Sequence, residues 1–410
     1  MPVANHNNES SPCLYLALPV MDESRQINRL LESIEAQNYH NFKLFVCVNQ
    51  PDDWWHVPEK IAICNDNAHS LEILKNHSGK SITLIDKSSP GEGWKGKHQG
   101  VGWARKTVMD AINAVASNND LIVSIDADTW YPPGYLYSLA GNLLTNPDAT
   151  AFAVPYYHKL TGEERADRAI LRYEIYMRYY SLNLWRCNIP YRFTAIGSAL
   201  AAPVWAYRRI GGITPHMSGE DFYFLLKLAK IGRVVTWNSE MAFPAARFSD
   251  RVLFGTGPAM IRGDGGDWSS YPFYDPKQFD LVSETFTSLY NAQNMPLQNQ
   301  FIGFLNELFK TDDLFAPLRS NHSDRQRFIK ACVERIDALR ILQYLRLYGI
   351  NRKLQEEDNL TSYLKDYFGI TIPQNFSFNR STVDQIDEIR NQLAGLESQY
   401  MEIEWNRTKN

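Results

Sequence analysis

Short apolar runs alternate with stretches of helical period through the first half of this 410-residue chain, and few architectures accept that alternation. Leu14 to Val20, Phe42 to Val48, Ile82 to Ile85 and Leu121 to Ile125 are mostly apolar, as strands covered on both faces must be. Between the first two, Ile27, Leu30, Leu31 and Ile34 recur at i, i+3, i+4 and i+7, with Asp22-Glu23-Ser24 ahead of them as a cap. Val101, Ala104, Val108, Ile112 and Val115 mark a helix before the fourth run. Pro132-Pro133 opens another after it, carrying Leu136, Leu139 and Leu143. The segment around Trp54-Trp55 is poorly periodic and reads as irregular. The rhythm predicts an α/β fold, a mainly parallel, doubly wound sheet flanked by helices.

The chemistry is concentrated in Leu121-Ile-Val-Ser-Ile-Asp-Ala-Asp-Thr129. Ligands of open α/β sheets collect at the carboxyl ends of strands, where Asp126 and Asp128 are expected. One residue apart on an extended chain, the two carboxylates point the same way. They can hold one hard divalent cation, Mg²⁺ or Mn²⁺, that also grips a diphosphate. Asp128 is expected to ligate directly and Asp126 to contact the ribose or the metal shell. Asp-x-Asp alone is equally a solvated loop or a helix cap; its place after a buried strand separates the readings. A Gly-rich basic loop, Pro90-Gly-Glu-Gly-Trp-Lys-Gly-Lys-His98, has the spacing of a phosphate loop but puts His98 where Ser or Thr would coordinate magnesium. It is read as a tight loop, with Lys97 and Arg105 facing phosphate from the helix that follows.

A formal net charge of -4 and a pI near 6.2 supply no general attraction for nucleic acid. Cys13, Cys47, Cys64, Cys187 and Cys332 have neither zinc-ligand spacing nor a disulfide pattern, which suits a reducing cytoplasm. No apolar run approaches the roughly 20 residues that span a bilayer, and Met1 to Pro12 lacks the apolar stretch of a signal peptide. The expectation is a cytoplasmic protein, with peripheral attachment to the inner membrane face left open.

Four segments in order, Leu18-Pro-Val-Met-Asp-Glu23, Leu31-Glu-Ser-Ile-Glu-Ala-Gln-Asn-Tyr39, Gly102-Trp-Ala-Arg-Lys106 and Ile125-Asp-Ala-Asp128, resemble a family 2 glycosyltransferase of GT-A fold over about the first 250 residues. The resemblance implies a metal-dependent, hexosyltransferase-like enzyme. It would move a sugar from a nucleotide-diphosphate sugar to a hydroxyl of a carbohydrate, lipid-linked or small-molecule acceptor, inverting the anomeric carbon. It further implies that Pro19, Met21, Glu23 and Asn49 hold the nucleoside; Asn49 stands where the family usually has an aspartate. The acids after Gly211-Gly-Ile-Thr-Pro-His-Met-Ser-Gly-Glu-Asp221 open a helix marked by Phe222, Leu225, Leu226 and Ala229. Such a pair is commonly a dipole-compensating cap; the resemblance makes Asp221 the catalytic base. Arg251 resembles the arginine that meets the diphosphate in relatives.

Arg233 to Trp237 reads as the last strand of this region, and Glu163 to Cys187 as a long helix whose tyrosines and Trp185 are packing residues before they are sugar platforms. The predicted organisation is a flexible N-terminus (1–11), a GT-A domain (12–248), a Gly-rich irregular loop or lid (249–280) and a helical C-terminal region (281–410). Within the last, Phe301, Phe304, Leu305 and Leu308 form one stripe, and Ile329, Cys332, Val333 and Ile336 another. A third runs from Val383 to Tyr400 and suits intramolecular packing or pairing with a second chain. Two other classes are weighed. A nucleotidylyltransferase would need a Gly-rich loop after the first strand, where Pro19-Val-Met-Asp22 stands. A catalytically degenerate scaffold that binds carbohydrate or nucleotide is favoured by Asn49 and disfavoured by intact Asp126, Asp128 and Asp221.

Overall fold

The computed structural model describes residues 11–77, 82–251, 255–291, 298–350, 356–373 and 375–409, so the flexible N-terminus expected over 1–11 lies almost wholly outside the described residues. The chain forms two compact units, Met1–Lys159 with Ala195–Pro258, and Leu160–Thr194 with Ala259–Asn410.

The strands are β1 (Leu14–Val20), β2 (Phe42–Asn49), β3 (Ile82–Lys87), β4 (Leu121–Ser124), β5 (Thr129–Trp130), β6 (Ala151–Ala153), β7 (Leu200–Pro203), β8 (Val234–Val235) and β9 (Phe243–Pro244). Seven build the main sheet in the order β3-β2-β1-β4-β7-β6-β8. The pairs β1/β2, β1/β4, β2/β3 and β6/β8 are parallel, and β7 alone runs against its neighbours β4 and β6. The α/β fold with a mostly parallel sheet is therefore as the sequence predicts. β1 and β4 are buried along their whole length, which is why their sequences carry no alternation.

The helices of the first seven positions are α1 (Ser24–Glu35), α2 (Ile61–Asn76), α3 (Val101–Val115), α4 (Tyr135–Thr145), α5 (Glu164–Arg186), α6 (Val204–Arg209) and α7 (Glu220–Ile231). Helix α2 corrects the irregular reading around Trp54-Trp55, where Asp52–His56 is a short 3₁₀ turn leading towards it. Its buried face is Cys64, Asn67, Ser70, Leu71 and Leu74, and two polar members interrupt the apolar stripe. Asn67 is spent inside: its amide donates to Gln50 Oε1 (2.8 Å) and accepts from the Asp22 N–H (2.9 Å). The expected cap of α1 is also different. No side chain of Asp22-Glu23-Ser24 caps the helix; Asp66 of α2 accepts from the Ser24 N–H at 3.0 Å.

In the second unit, α5 is joined by α8 (Thr256–Asp264), α9 (Pro276–Asn291), α10 (Gln300–Phe309), α11 (Ala316–Asn321), α12 (Arg325–Arg335), α13 (Ala338–Tyr348), α14 (Glu356–Phe368) and α15 (Val383–Lys409). The sequence reading counts α5 within the first domain, whereas its partners are here. Tyr179 packs edge-on against Phe273 and Tyr363, and Tyr176 against Tyr271 and Tyr274. Those rings are core. Residues 249–280, expected to be irregular, hold α8 and the start of α9; Gly257, Pro258 and Gly263 break the period that would have revealed the former. Helix α15 lies along α5, with Ile386, Ile389 and Leu393 buried. A buried ionic cluster fixes the pair: Arg178 bonds Glu174 on its own helix (2.7 Å) and Glu397 on α15 (2.6 Å), and the Ser181 hydroxyl donates to Glu397 (2.6 Å). Among the described residues, no helix is long and apolar enough to cross a membrane.

Candidate functional site

Asp126 and Asp128 leave the carboxyl end of β4 as expected, and the loop that presents them is tied down from several sides. Tyr131 receives the Asp126 N–H at its hydroxyl (3.2 Å) and donates that hydroxyl to the Ser198 carbonyl (3.0 Å). Its own N–H donates to the Ser33 hydroxyl (3.1 Å), so α1 also sets the loop. Directly after Asp128, the two-residue strands β5 and β9 pair, Thr129 against Pro244. That ladder delivers the segment 247–251 to the carboxylates.

Arg105 is the centre of the arrangement. It projects from α3 and is only 2% exposed. Its Nε donates to Glu220 at 3.0 Å, one terminal nitrogen to Asp126 at 3.0 Å, and the other to Ser124 and to the Gly197 carbonyl at 3.2 Å. Burial alone would lower its pKa, but Asp126 and Glu220 outweigh it and the guanidinium stays charged. Gly197 is required for this: a Cβ there would meet the guanidinium at 2.7 Å. Arg105 therefore does not have the free face towards phosphate that the sequence reading gives it. One side chain instead joins the exit of β4 to the start of α7.

At that start, Gly219 adopts φ +74°, a left-handed turn that side chains resist, and Glu220 and Asp221 follow in the first helical turn. The two acids have different surroundings. Glu220 is 4% exposed and spent on Arg105. Asp221 is half-buried; its Oδ1 accepts the Phe222 N–H at 2.8 Å, and no cation pairs with it among the described residues. Burial, and then the charge of Glu220, push Asp221 up to about 7 against the opposing pull of Arg105. A carboxyl poised near neutrality exchanges protons readily at physiological pH. Burial, aided by Asp128, likewise raises Asp126 against Arg105.

A second ionic group surrounds Asp128. Arg247 donates from Nε (2.8 Å) and a terminal nitrogen (2.7 Å) to the same oxygen, Oδ2, and Arg251 approaches that oxygen at 3.7 Å. Both arginines also bond Oε1 of Glu23, which is 6% exposed. Arg251 is further held by the Met21 carbonyl and the Ser249 hydroxyl, each at 2.9 Å. Burial and the nearby Asp128 push Glu23 up to about 7 in spite of the two arginines. The sequence reading named Arg251 and Glu23 but passed over Arg247; its i, i+4 spacing from Arg251 is the signal that was available.

The remaining expected nucleoside residues are less open. Pro19 is buried within β1. Asn49 is 2% exposed and turned into the fold: its amide donates to the Val20 carbonyl (2.8 Å) and accepts from the Trp94 indole (3.1 Å). The glycine-rich loop is pinned to the chain after β2 through Trp94 and Gln50, and Gly91 donates to Asp52 (2.8 Å), a fold unlike a phosphate cradle. Lys97 is exposed on it.

Among the described residues, no group of three or more His, Cys, Asp or Glu side chains could hold a metal by itself. Asp126 and Asp128 nevertheless each bring one oxygen outside their arginine contacts, Oδ2 and Oδ1. Two hard oxygens suit Mg²⁺ or Mn²⁺ when phosphate oxygens complete the shell.

No family model matches the chain, and no curated protein matches it. Several solved structures share its general plan at low similarity. TarS residues 1–349 of S. aureus in complex with UDP-GlcNAc is 10% identical, with 95% of this chain and 90% of that chain covered and a TM-score of 0.38. The mannosyltransferase of Pyrobaculum calidifontis in complex with GDP-Man and Mn²⁺ is 16% identical, with 80% and 88% covered and a TM-score of 0.38. A mycobacterial protein is 15% identical, with 63% and 77% covered and a TM-score of 0.35. These likenesses are too loose to assign a function.

Proposed function

We propose that the first unit is a glycosyltransferase that moves a sugar from a nucleotide-diphosphate sugar to a hydroxyl of a carbohydrate or lipid-linked acceptor, with inversion. One observation carries the reading: Arg105 ties Asp126, at the exit of a central strand, to Glu220, whose neighbour Asp221 starts the facing helix. A diphosphate anchor and a proton acceptor so joined suit the two ends of one displacement.

Asp221 accepts the proton of the acceptor hydroxyl as that oxygen attacks the anomeric carbon from the side opposite the diphosphate. Glu220 cannot share the task while Arg105 holds it, so the roles of the adjacent acids are separated by their partners. Asp126 and Asp128 would hold Mg²⁺ or Mn²⁺, which when bound offsets charge growing on the leaving diphosphate. Met21 and Glu23 line the nucleoside side. The engagement of Asn49 argues that base selection rests elsewhere than on the second strand's last residue.

The test is nucleoside diphosphate release from a panel of UDP- and GDP-sugars with oligosaccharide or lipid-linked acceptors. Asp221→Asn keeps the shape and removes the basicity. Turnover should fall by about 10²- to 10⁴-fold while donor binding holds; turnover near wild type would make Asp221 a helix cap. A non-catalytic nucleotide-binding protein is the second reading, favoured by the arginines closed over Asp128, and predicts binding without turnover in the unmodified chain.

A further inference from the structure

Arg247 and a divalent cation have claims on the same carboxylate. Both nitrogens that reach Asp128 converge on Oδ2, at 2.8 and 2.7 Å. A cation on Oδ1 would stand beside that guanidinium, and two positive charges a few ångströms apart in a half-buried place repel. The two arginines are not held alike. Arg251 has the Met21 carbonyl, the Ser249 hydroxyl and Glu23, whereas among the described residues the bonds of Arg247 go to the two acids. Glu23 keeps Arg251 if Arg247 departs. The backbone of Arg247 follows the β5/β9 ladder closely, and its side chain is 29% exposed, which leaves the guanidinium room to turn about a fixed Cα.

We propose that Arg247 is an exchangeable counter-ion: it neutralises Asp128 until a diphosphate and its cation arrive, then transfers its planar fork to the phosphate oxygens while the cation takes the carboxylate. The inference rests on the nucleotide-sugar reading and adds a residue to it. The guanidinium fork matches phosphate oxygens in a bidentate manner. Exchange keeps the acid compensated in both states, since Asp128 always faces one cation. It also makes the bare chain a poor metal binder and the nucleotide-loaded chain a good one.

The measurement is titration calorimetry on the full chain with MnCl₂ alone, and then with UDP and with GDP in saturating Mn²⁺, for wild type, Arg247→Gln and Arg247→Lys. Arg247→Gln should bind Mn²⁺ alone more tightly and the nucleoside diphosphate more weakly, each on the order of tenfold, the worth of one charge-assisted contact. Arg247→Lys keeps the charge without the fork and should move both affinities the same ways by less. Unchanged or weaker Mn²⁺ binding in Arg247→Gln would overturn the exchange, as would a parallel fall in both affinities. If wild type binds neither UDP nor GDP, the nucleotide-sugar reading fails by itself. The Mn²⁺ comparison still decides whether Arg247 competes for Asp128.

Discussion

Replacing Arg105 by Met removes the cation that the first unit is assembled around while filling most of its volume. Glu220, 4% exposed, would lose its guanidinium partner; Asp126, Ser124 and the Gly197 carbonyl would each lose a donor. Breaking a buried pair from one side leaves an uncompensated charge and costs about 3–5 kcal/mol. With a urea m-value of about 3 kcal/mol/M, the midpoint of the first unit's unfolding should fall by roughly 1–1.7 M. Circular dichroism in a urea series at pH 7.5 reads this directly. Adding Glu220→Gln should recover part of the loss, because a neutral amide no longer needs the cation; the coupling should lie within about 0.5–3 kcal/mol. A midpoint within about 0.2 M of wild type, given the same slope, would refute Arg105 as the joint between the strand exit and α7.

Four further outcomes are expected. Because Asp221 sits at about 7, it is protonated and idle as a base below that value, so turnover should rise with pH through the neutral range; a pH profile flat from 5.5 to 8.5 would contradict this. The same raised value means that the neutral acid favours the fold, a contribution fully present below about 4 and lost as pH rises through about 7. Glu397→Ala leaves Arg178 and Ser181 without their partner on α15. Glu174 still compensates Arg178, so the second unit should lose roughly 1.5–3 kcal/mol, seen as faster proteolytic release of α15; an unchanged cleavage rate would show the clasp to be dispensable. Gly197→Ala puts a methyl 2.7 Å from the Arg105 guanidinium. It should lower turnover more than it lowers the melting temperature, and normal kinetics would mean that Arg105 can give way.

What could be read from the sequence follows from how each element is buried. β1, β2 and β4 lie between layers, so nearly every residue is apolar and the runs stand out. The helix α2 hides because Asn67 and Ser70 occupy its inner face, and the partners that satisfy Asn67 come within reach only after folding. β5, β8 and β9 have two residues each, too few for any period, and with β5 and β9 went the means of seeing that Arg247 reaches Asp128. Asp126 and Asp128 could be named because a strand exit is a local signal, whereas Asp221 is named through the family resemblance, a pair of acids at a helix start being commonly a cap. The engagement of Arg105 and Asn49 could not, since Glu220 and Trp94 lie 115 and 45 residues away from them. The membership of α5 was hidden for the same reason: its partners Phe273, Tyr363 and Glu397 are all distant in the chain.

The central claim is that Asp126 and Asp128 present a cation-dependent diphosphate site. Calorimetry of UDP and GDP against the full chain, with and without Mn²⁺, for wild type and Asp128→Ala, addresses it most directly. One of the two nucleotides should bind wild type at least tenfold more tightly with Mn²⁺ than without, and Asp128→Ala should abolish the difference, a gap of about 1.4 kcal/mol or more. Equal affinity in wild type and Asp128→Ala in the presence of Mn²⁺ would contradict it.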